Sequence, residues 1–183
     1  MSDAPKKPGP RRARLGEMLR VNHAGEYGAV AIYRGQRAVF DRLSHKSSIA
    51  EEIADMEAGE QEHLKTFDRL LAERKVRPTL LAPLWNAAGF GLGAATALMG
   101  EKAAMAATAA VEDVIEKHYA EQAGELDADE PALAETVRQF REEELQHKHT
   151  AESAGAAETP GYSALSAIIR AGCRAAIKVA EKV

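Results

Sequence analysis

The sequence predicts an all-α protein: a four-helix bundle assembled from two repeated helical hairpins, with extra amphipathic helices outside it. Three observations lead there. Aromatic residues make up only 5% of the 183 residues, while alanine is abundant. Alanine favours helix, whereas aromatic side chains are enriched in strands. Apolar residues recur at helical spacing, and no strand-like alternation stands out. A pattern of Ala, Glu, Tyr and Gln occurs twice at a constant offset, the signature of an internal repeat.

Each element follows in order. Residues 1–14 read as a flexible basic arm containing Pro8 and Pro10. The remainder, 15–183, is long enough for one domain with a real core. Hairpin one covers 15–75. Its first helix runs from Leu15 to about Leu43, with Gly28 available for close packing. Ser44, Ser47 and Ser48 mark a break and a fresh N-cap. A charged second helix follows over 49–75, and Pro78 and Pro83 end it. An apolar crossover covers 76–100. Hairpin two, 101–153, opens on a run of alanines. Its helices span 101–123 and 132–153, with GELDADEP (124–131) as the turn and Asp129 as the cap. Gly155–Gly161 is a loop, and 162–182 is a C-terminal amphipathic helix.

Composition narrows the function. The single cysteine, Cys173, excludes an internal disulfide framework, a Cys-based zinc site and a Cys-ligated iron–sulfur cluster within one chain. It also points to a reducing compartment, and Cys173 itself reads as a small packing residue. No apolar signal-peptide core opens the chain, so no secretion is expected. Residues 1–20 carry six basic and two acidic side chains, and residues 162–183 carry four and one, so the body between is strongly acidic. Basic ends suit an anionic membrane surface, while the acidic body argues against nucleic acid.

The stretch Thr79–Gly100 has no charged residue over 22 positions. That length could span a bilayer, but Pro83, Asn86 and four glycines weaken a straight span. It reads either as a buried crossover or as a segment lying in one membrane leaflet. The last helix has similar potential. Arg170, Arg174, Lys178 and Lys182 recur every fourth residue beside an apolar face of Leu165, Ile168, Ile169, Gly172, Cys173, Ala176 and Val179. These two segments are the expected membrane-facing helices.

The chemistry lies in the repeat. Ala24, Glu26, Tyr33 and Gln36 overlay Ala110, Glu112, Tyr119 and Gln122 at an offset of 86. Each copy is followed by an E-x-x-H: Glu60 with His63, and Glu144 with His147. Residues three apart project from one helix face. In an antiparallel hairpin, two residues share a level when the turn lies midway between them. The midpoint of 26 and 60 is 43, at the serine break; that of 112 and 144 is 128, inside GELDADEP. Packed face to face, the hairpins bring four Glu and two His together. Buried carboxylates must be protonated or bound to cations. A Glu from each of two helices plus an E-x-x-H from each of the others is the ligand set of di-iron and di-manganese carboxylate bundles. Carboxylate and imidazole without thiolate suit either metal, and iron is preferred because it supports oxygen chemistry.

Neighbouring residues receive weaker readings. Glu62, Glu142, Glu143 and His149 are assigned to solvent or to a layer behind the ligands. His23, His45 and His118 have no repeat partner; His118 is read as a non-ligand, with a supporting role as the alternative. Tyr33 and Tyr119 sit two turns from Glu26 and Glu112, as pocket walls or ordinary core. The ligand set also constrains the crossover: a full span would put the hairpins on opposite sides of a membrane, so it must return to the side it left.

The segments RVNHAGEYGAVAIYRGQ (20–36), RPTLLAPLWNAAGFGLGAATALMG (77–100), AVEDVIEKHY (110–119), FREEELQH (140–147) and IIRAGCRAAI (168–177) resemble the demethoxyubiquinone hydroxylases, the 2-polyprenyl-3-methyl-6-methoxy-1,4-benzoquinone monooxygenases of ubiquinone biosynthesis. The resemblance runs from about residue 15 to the end of the chain. It implies a ferritin-like core and a di-iron centre of two Fe ions held by Glu26, Glu60, His63, Glu112, Glu144 and His147, with no ligand position changed. It further implies O2-dependent hydroxylation of the ring of a polyprenyl benzoquinone, with electrons from NADH or a reductase. No G-x-G-x-x-G fingerprint is present, so no built-in reductase domain is expected. Leu80, Leu81, Leu84, Trp85, Phe90 and Leu92 either form a greasy entrance for the isoprenoid tail or pack as ordinary core. The implied location is peripheral, on the cytoplasmic side of a bacterial cell membrane or the matrix side of the mitochondrial inner membrane. A homo-oligomer or a lipid-presenting partner also fits the resemblance.

Three rivals remain. A ferritin-like iron store would share the ligands but should form a soluble shell without a long uncharged crossover. A rubrerythrin-like peroxidase usually carries a Cys-rich iron module. A metal-free helical scaffold would leave the paired motifs without a purpose.

Overall fold

A computed structural model describes residues 10–43 and 47–182. It contains six α-helices: α1 (Pro10–Phe40), α2 (Ser47–Arg74), α3 (Ala82–Leu98), α4 (Glu101–Leu126), α5 (Pro131–Ser153) and α6 (Tyr162–Ala180), with a 3₁₀ turn at Ala156–Glu158 before the last. Helices α1, α2, α4 and α5 form the expected four-helix core. Helices α3 and α6 pack outside it, chiefly on α1 and α4 respectively.

The hairpins are antiparallel. On α1 and α2, Arg37 pairs with Glu57 near one end and His23 with Asp68 toward the other. Helices α1 and α4 also run antiparallel. Gln36 donates to the Thr108 hydroxyl at 3.2 Å, and Asn22 exchanges two hydrogen bonds with Gln122 at 2.7 and 2.9 Å. Those contacts match repeat residue to repeat residue, since Asn22 corresponds to Thr108 and Gln36 to Gln122. The hairpins are therefore related by an approximate two-fold axis.

The apolar core is divided into two plugs. One contains Phe40, Ile53, Met56, Met105 and the small residues Ala104 and Ala106; the other contains Leu19, Phe67, Leu71, Leu133, Val137 and Phe140. The alanine run opening α4 is buried almost throughout, which lets neighbouring helices approach closely. The candidate ligands occupy the layer between the plugs.

Several boundaries differ from the sequence reading. Residues 1–9 of the expected arm lie outside the described residues, but Pro10 to Arg14 are helical. Proline suits a first helical turn, and distant partners hold this one down. Arg11 bonds Asp129 at 3.0 Å and Arg14 makes a two-pronged contact with Glu125 at 2.9 and 3.1 Å. Asp129 is thereby engaged by Arg11 and does not cap α5; Glu130 occupies that position, without a side-chain capping bond. Helix α4 continues three residues past its expected end, to Leu126. Ser44 lies outside the described residues, and Ser47 opens α2.

The crossover α3 runs parallel to α1 along the length of the bundle. A Cβ on Gly93 would stand 1.9 Å from the Ile32 carbonyl oxygen, and one on Gly35 would stand 2.2 Å from that of Phe90. Only glycine permits so close a backbone approach. The outcome lies between the two readings of this segment: Gly89, Gly93, Thr96 and Ala97 are buried, whereas Leu80, Leu84, Phe90, Leu98 and Met99 are exposed. Among the described residues, no helix is long and apolar enough to cross a membrane. On α6, whose apolar face could rest on a membrane or pack on the bundle, Leu165, Ile169 and Cys173 turn inward, whereas Ile168 and Val179 face outward.

Candidate metal centre

Helix periodicity carries six side chains into the layer between the plugs: Glu26 from α1, Glu60 and His63 from α2, Glu112 from α4, Glu144 and His147 from α5. Glu26, Glu60, His63, Glu112 and Glu144 are at most 1% exposed. They fall into two overlapping groups whose ligand atoms lie within 4.8 Å of one another: Glu26, Glu60, His63 and Glu144, then Glu60, Glu112, Glu144 and His147. All six residues expected from the sequence are thus brought together.

The overlap has a definite geometry. His63 Nδ1 lies 3.6 Å from Glu60 Oε2 and 3.2 Å from Glu144 Oε1. His147 Nδ1 lies 3.0 Å from Glu60 Oε1 and 3.5 Å from Glu144 Oε2. Glu60 and Glu144 each turn one oxygen toward each histidine, while Glu26 and Glu112 serve one group each.

Glu26 Oε2, both oxygens of Glu60 and of Glu144, Glu112 Oε2 and the Nδ1 atoms of His63 and His147 are buried without a hydrogen-bond partner. A buried carboxylate in that condition is costly. These orphans divide into one nitrogen and three oxygens per group, which fits two hard-to-borderline divalent ions sharing two carboxylates. Each remaining Glu26 and Glu112 oxygen is already used. Tyr33 donates to Glu112 Oε1 at 2.7 Å, and Tyr119 donates to Glu26 Oε1. The tyrosines therefore hold Glu112 and Glu26 across the two-fold while their rings pack in the two apolar plugs.

When protons are the only counter-charge, the layer must hold them. Burial pushes Glu26 up to about 8, with Glu60 adding to the rise and His63 opposing it. Burial likewise holds Glu112 well above the usual carboxylate range. Burial alone would lower both histidines. The facing carboxylates of Glu144, Glu26 and Glu60 outweigh it at His63, and those of Glu144 and Glu60 raise His147 to about 10. Burial and the adjacent carboxylates keep both tyrosines protonated far above their ordinary range.

Residues beside the motifs take clear positions. Glu143 stands behind His63, 2.6 Å from its Nε2. Glu62 bonds exposed Lys65, and Glu142 and His149 are exposed. His118 is half-buried, touches Gln122 and is no ligand. His23 is buried against Asp68, and His45 lies outside the described residues.

A second feature adjoins the centre. Helices α1, α3, α4 and α6 line a half-open apolar cavity of about 390 Å³. Trp85 and Leu92 line it, as do Gly25 and Val111, the chain neighbours of Glu26 and Glu112. Of the apolar residues proposed for an entrance, Leu80, Leu84 and Phe90 are instead exposed on the outer face. Burial pushes the Cys173 thiol, also in the cavity wall, up to about 11, in keeping with a packing role.

Comparison with known proteins decides the family. The family described as Ubiquinone biosynthesis protein COQ7 matches residues 13–180. The chain belongs to the COQ7 family. It is 49% identical over 179 residues to the 3-demethoxyubiquinol 3-hydroxylase of Rhodospirillum rubrum, covering 98% of this chain and 82% of that one. It is 46% identical over 175 residues to the mouse (Mus musculus) mitochondrial NADPH-dependent 3-demethoxyubiquinone 3-hydroxylase, covering 93% and 79%. A Saccharomyces cerevisiae protein, the mitochondrial 5-demethoxyubiquinone hydroxylase, is 38% identical over 185 residues, covering 92% and 78%. Membership in COQ7 agrees with the helical core and with the resemblance of residues 20–36 and 140–147.

Proposed function

We propose that this chain is a di-iron monooxygenase that hydroxylates the benzoquinone ring of a polyprenyl demethoxyquinone in ubiquinone biosynthesis. One observation carries the reading: two four-atom ligand groups share both E-x-x-H carboxylates, inside a COQ7 chain. Glu26, Glu60, His63, Glu112, Glu144 and His147 would hold two Fe ions. Bound iron supplies the activation of O2. In the balanced reaction one oxygen atom becomes the ring hydroxyl, the other leaves as water, and a donor supplies two electrons and two protons.

The chain's own residues do the rest. Glu60 and Glu144, which belong to both ligand groups, would help hold either ion. Tyr33 and Tyr119 orient Glu112 and Glu26. The cavity between α1, α3, α4 and α6 gives an apolar quinone a dry place beside the ligand helices. The electrons come from a reduced nicotinamide nucleotide or through a reductase; the mouse relative's name specifies NADPH.

Leu80, Leu84, Leu98, Met99 and Ile168 form exposed apolar positions on α3, α6 and their flanks, and Arg174, Lys178 and Lys182 are exposed cations on α6 and just beyond it. That combination suits a monotopic seat on an anionic leaflet. The corresponding location is the cytoplasmic face of a bacterial membrane or the matrix face of the mitochondrial inner membrane.

The test is quinone analysis, by chromatography and mass spectrometry, of cells lacking this protein and complemented with wild type, Glu60→Ala or Glu144→Ala. Demethoxyquinone should accumulate, and only the wild type should restore ubiquinone. Normal quinones in every strain, with no redundant hydroxylase, would overturn the assignment and bring iron storage forward.

A further inference from the structure

The two E-x-x-H motifs align at an offset of 84, which sets His63 over His147 and Glu143 over Gly59. The approximate two-fold axis breaks at this pair. Behind His63, Glu143 Oε2 lies 2.6 Å from Nε2, and Gln139 steadies the other Glu143 oxygen with a 3.0 Å bond. Phe140 stacks on the same ring, with centroids 3.9 Å apart. Behind His147 stands Gly59, where a Cβ would already touch Cε1 and Nε2 at 3.4 Å. The His147 side chain is 14% exposed against 1% for His63.

A carboxylate behind an imidazole has a defined effect. It accepts the Nε2–H, fixes the tautomer with the Nδ1 lone pair facing the ligands, and raises the basicity of that nitrogen. Such outer partners are worth roughly 10–100-fold in metal affinity. Among the described residues, no carboxylate is hydrogen-bonded to His147 Nε2; its carboxylate neighbours lie at Nδ1.

We propose that the two metal positions are unequal by construction, with Glu143 a positioning residue for His63. The Glu26–Glu60–His63–Glu144 position is the tight one and fills first. The Glu60–Glu112–Glu144–His147 position is weaker and exchanges its ion. This rests on the dinuclear reading above.

The test uses the metal-stripped full-length chain and Mn(II), titrated anaerobically and followed by calorimetry and electron paramagnetic resonance. Wild type should take up two ions in steps separated by about tenfold or more in Kd. At one equivalent the spectrum should be chiefly that of isolated Mn(II), with exchange-coupled pairs in the minority. In Glu143→Ala the first step should weaken by roughly 10–100-fold while the second holds, so that the steps merge. Glu143→Gln, which can still accept the Nε2–H, should fall between. Gln139→Ala, at an exposed position, should shift the first step the same way by less, and it decides the matter if the Glu143 variants do not fold. Two equal steps in wild type, or equal weakening of both steps in the variants, would overturn the inequality while leaving the dinuclear centre intact. Failure of wild type to bind two ions would instead overturn the dinuclear reading.

Discussion

Helices α2 and α3 both flank α1, yet they meet it in opposite ways. Against α2, α1 places long polar side chains: Arg34 and Arg37 on Glu57, His23 on Asp68, and Glu26 beside His63. Against α3 it places backbone, with Gly28 and Ile32 carbonyls beside Gly89 and Gly93. The first interface keeps the room that ligands need. The second brings the two backbones together, so that α3 presents Leu84 and Phe90 outward and turns Trp85 and Leu92 toward the apolar cavity. Chemistry at one face of α1 and apolar exposure beyond the other follow from residue size alone.

The largest effect should come from the ligand face. Glu144→Gln or Glu60→Gln removes a carboxylate that serves both groups, whereas Glu112→Gln affects one. Metal content after reconstitution should fall from two ions per chain toward none in the first two variants and toward one in the third. Hydroxylation should drop by more than the ~100-fold that loss of an outer partner can cost. Equal metal content in all three would contradict the shared-carboxylate geometry.

The glycine face should respond next. Gly93→Ala forces a Cβ onto the Ile32 carbonyl and should cost about 1–3 kcal/mol, the usual range for overpacking. Gly172→Ala on α6, where a Cβ meets nothing within 4 Å, should be neutral or slightly stabilising. Urea midpoints with unchanged slopes would measure both, and similar losses at the two sites would show that the α1–α3 approach is not what matters.

The contrast can also be sharpened with pH. Glu26 rises from 4.5 to about 8 and His147 from 6.5 to about 10, so the folded, metal-stripped chain binds protons more tightly than the unfolded one. Their contribution to stability is present at low pH. It is lost as pH rises, through 4.5 to 8 for Glu26 and 6.5 to 10 for His147. From these groups, the Tm of the stripped chain should fall between about pH 5 and pH 9, and metal should restore more stability at the alkaline end. A Tm that rises over that range without metal would show that these groups do not govern the stripped state.

The smallest effect on folding belongs to the outer face. Leu98→Gln and Ile168→Gln alter exposed side chains and should change stability by no more than about 0.5 kcal/mol. They should nevertheless reduce sedimentation with anionic vesicles. Undiminished vesicle binding would move the membrane seat elsewhere.

The clustering of the six candidate ligands was legible because it obeys local rules. Spacing i to i+3 puts Glu and His on one face, and the hairpin midpoints bring Glu26 level with Glu60 and Glu112 with Glu144. The tyrosines were placed on the right face, but their partners were not legible, since Tyr33 bonds Glu112 in the opposite hairpin. Glu143 was assigned to solvent or to a layer behind the ligands, and local spacing could not choose between them because its neighbour His63 is 80 residues away. Extending the repeat alignment to Gly59 and Glu143 would have exposed that asymmetry. The early start of α1 depends on Glu125 and Asp129, and no local rule connects Arg14 with either. The lengthwise course of α3 was hidden because small residues at helical spacing do not say which neighbour they approach.

The cavity wall carries one more consequence. Trp85 is the only tryptophan in the chain, and it lines the apolar space between α1, α3, α4 and α6. All indole emission from this protein therefore arises at the surface where a quinone would lie. Quinones are strong electron acceptors, so occupancy should darken that emission without any label. The protein thus carries its own optical gauge of loading, readable separately from turnover and from the state of the metals.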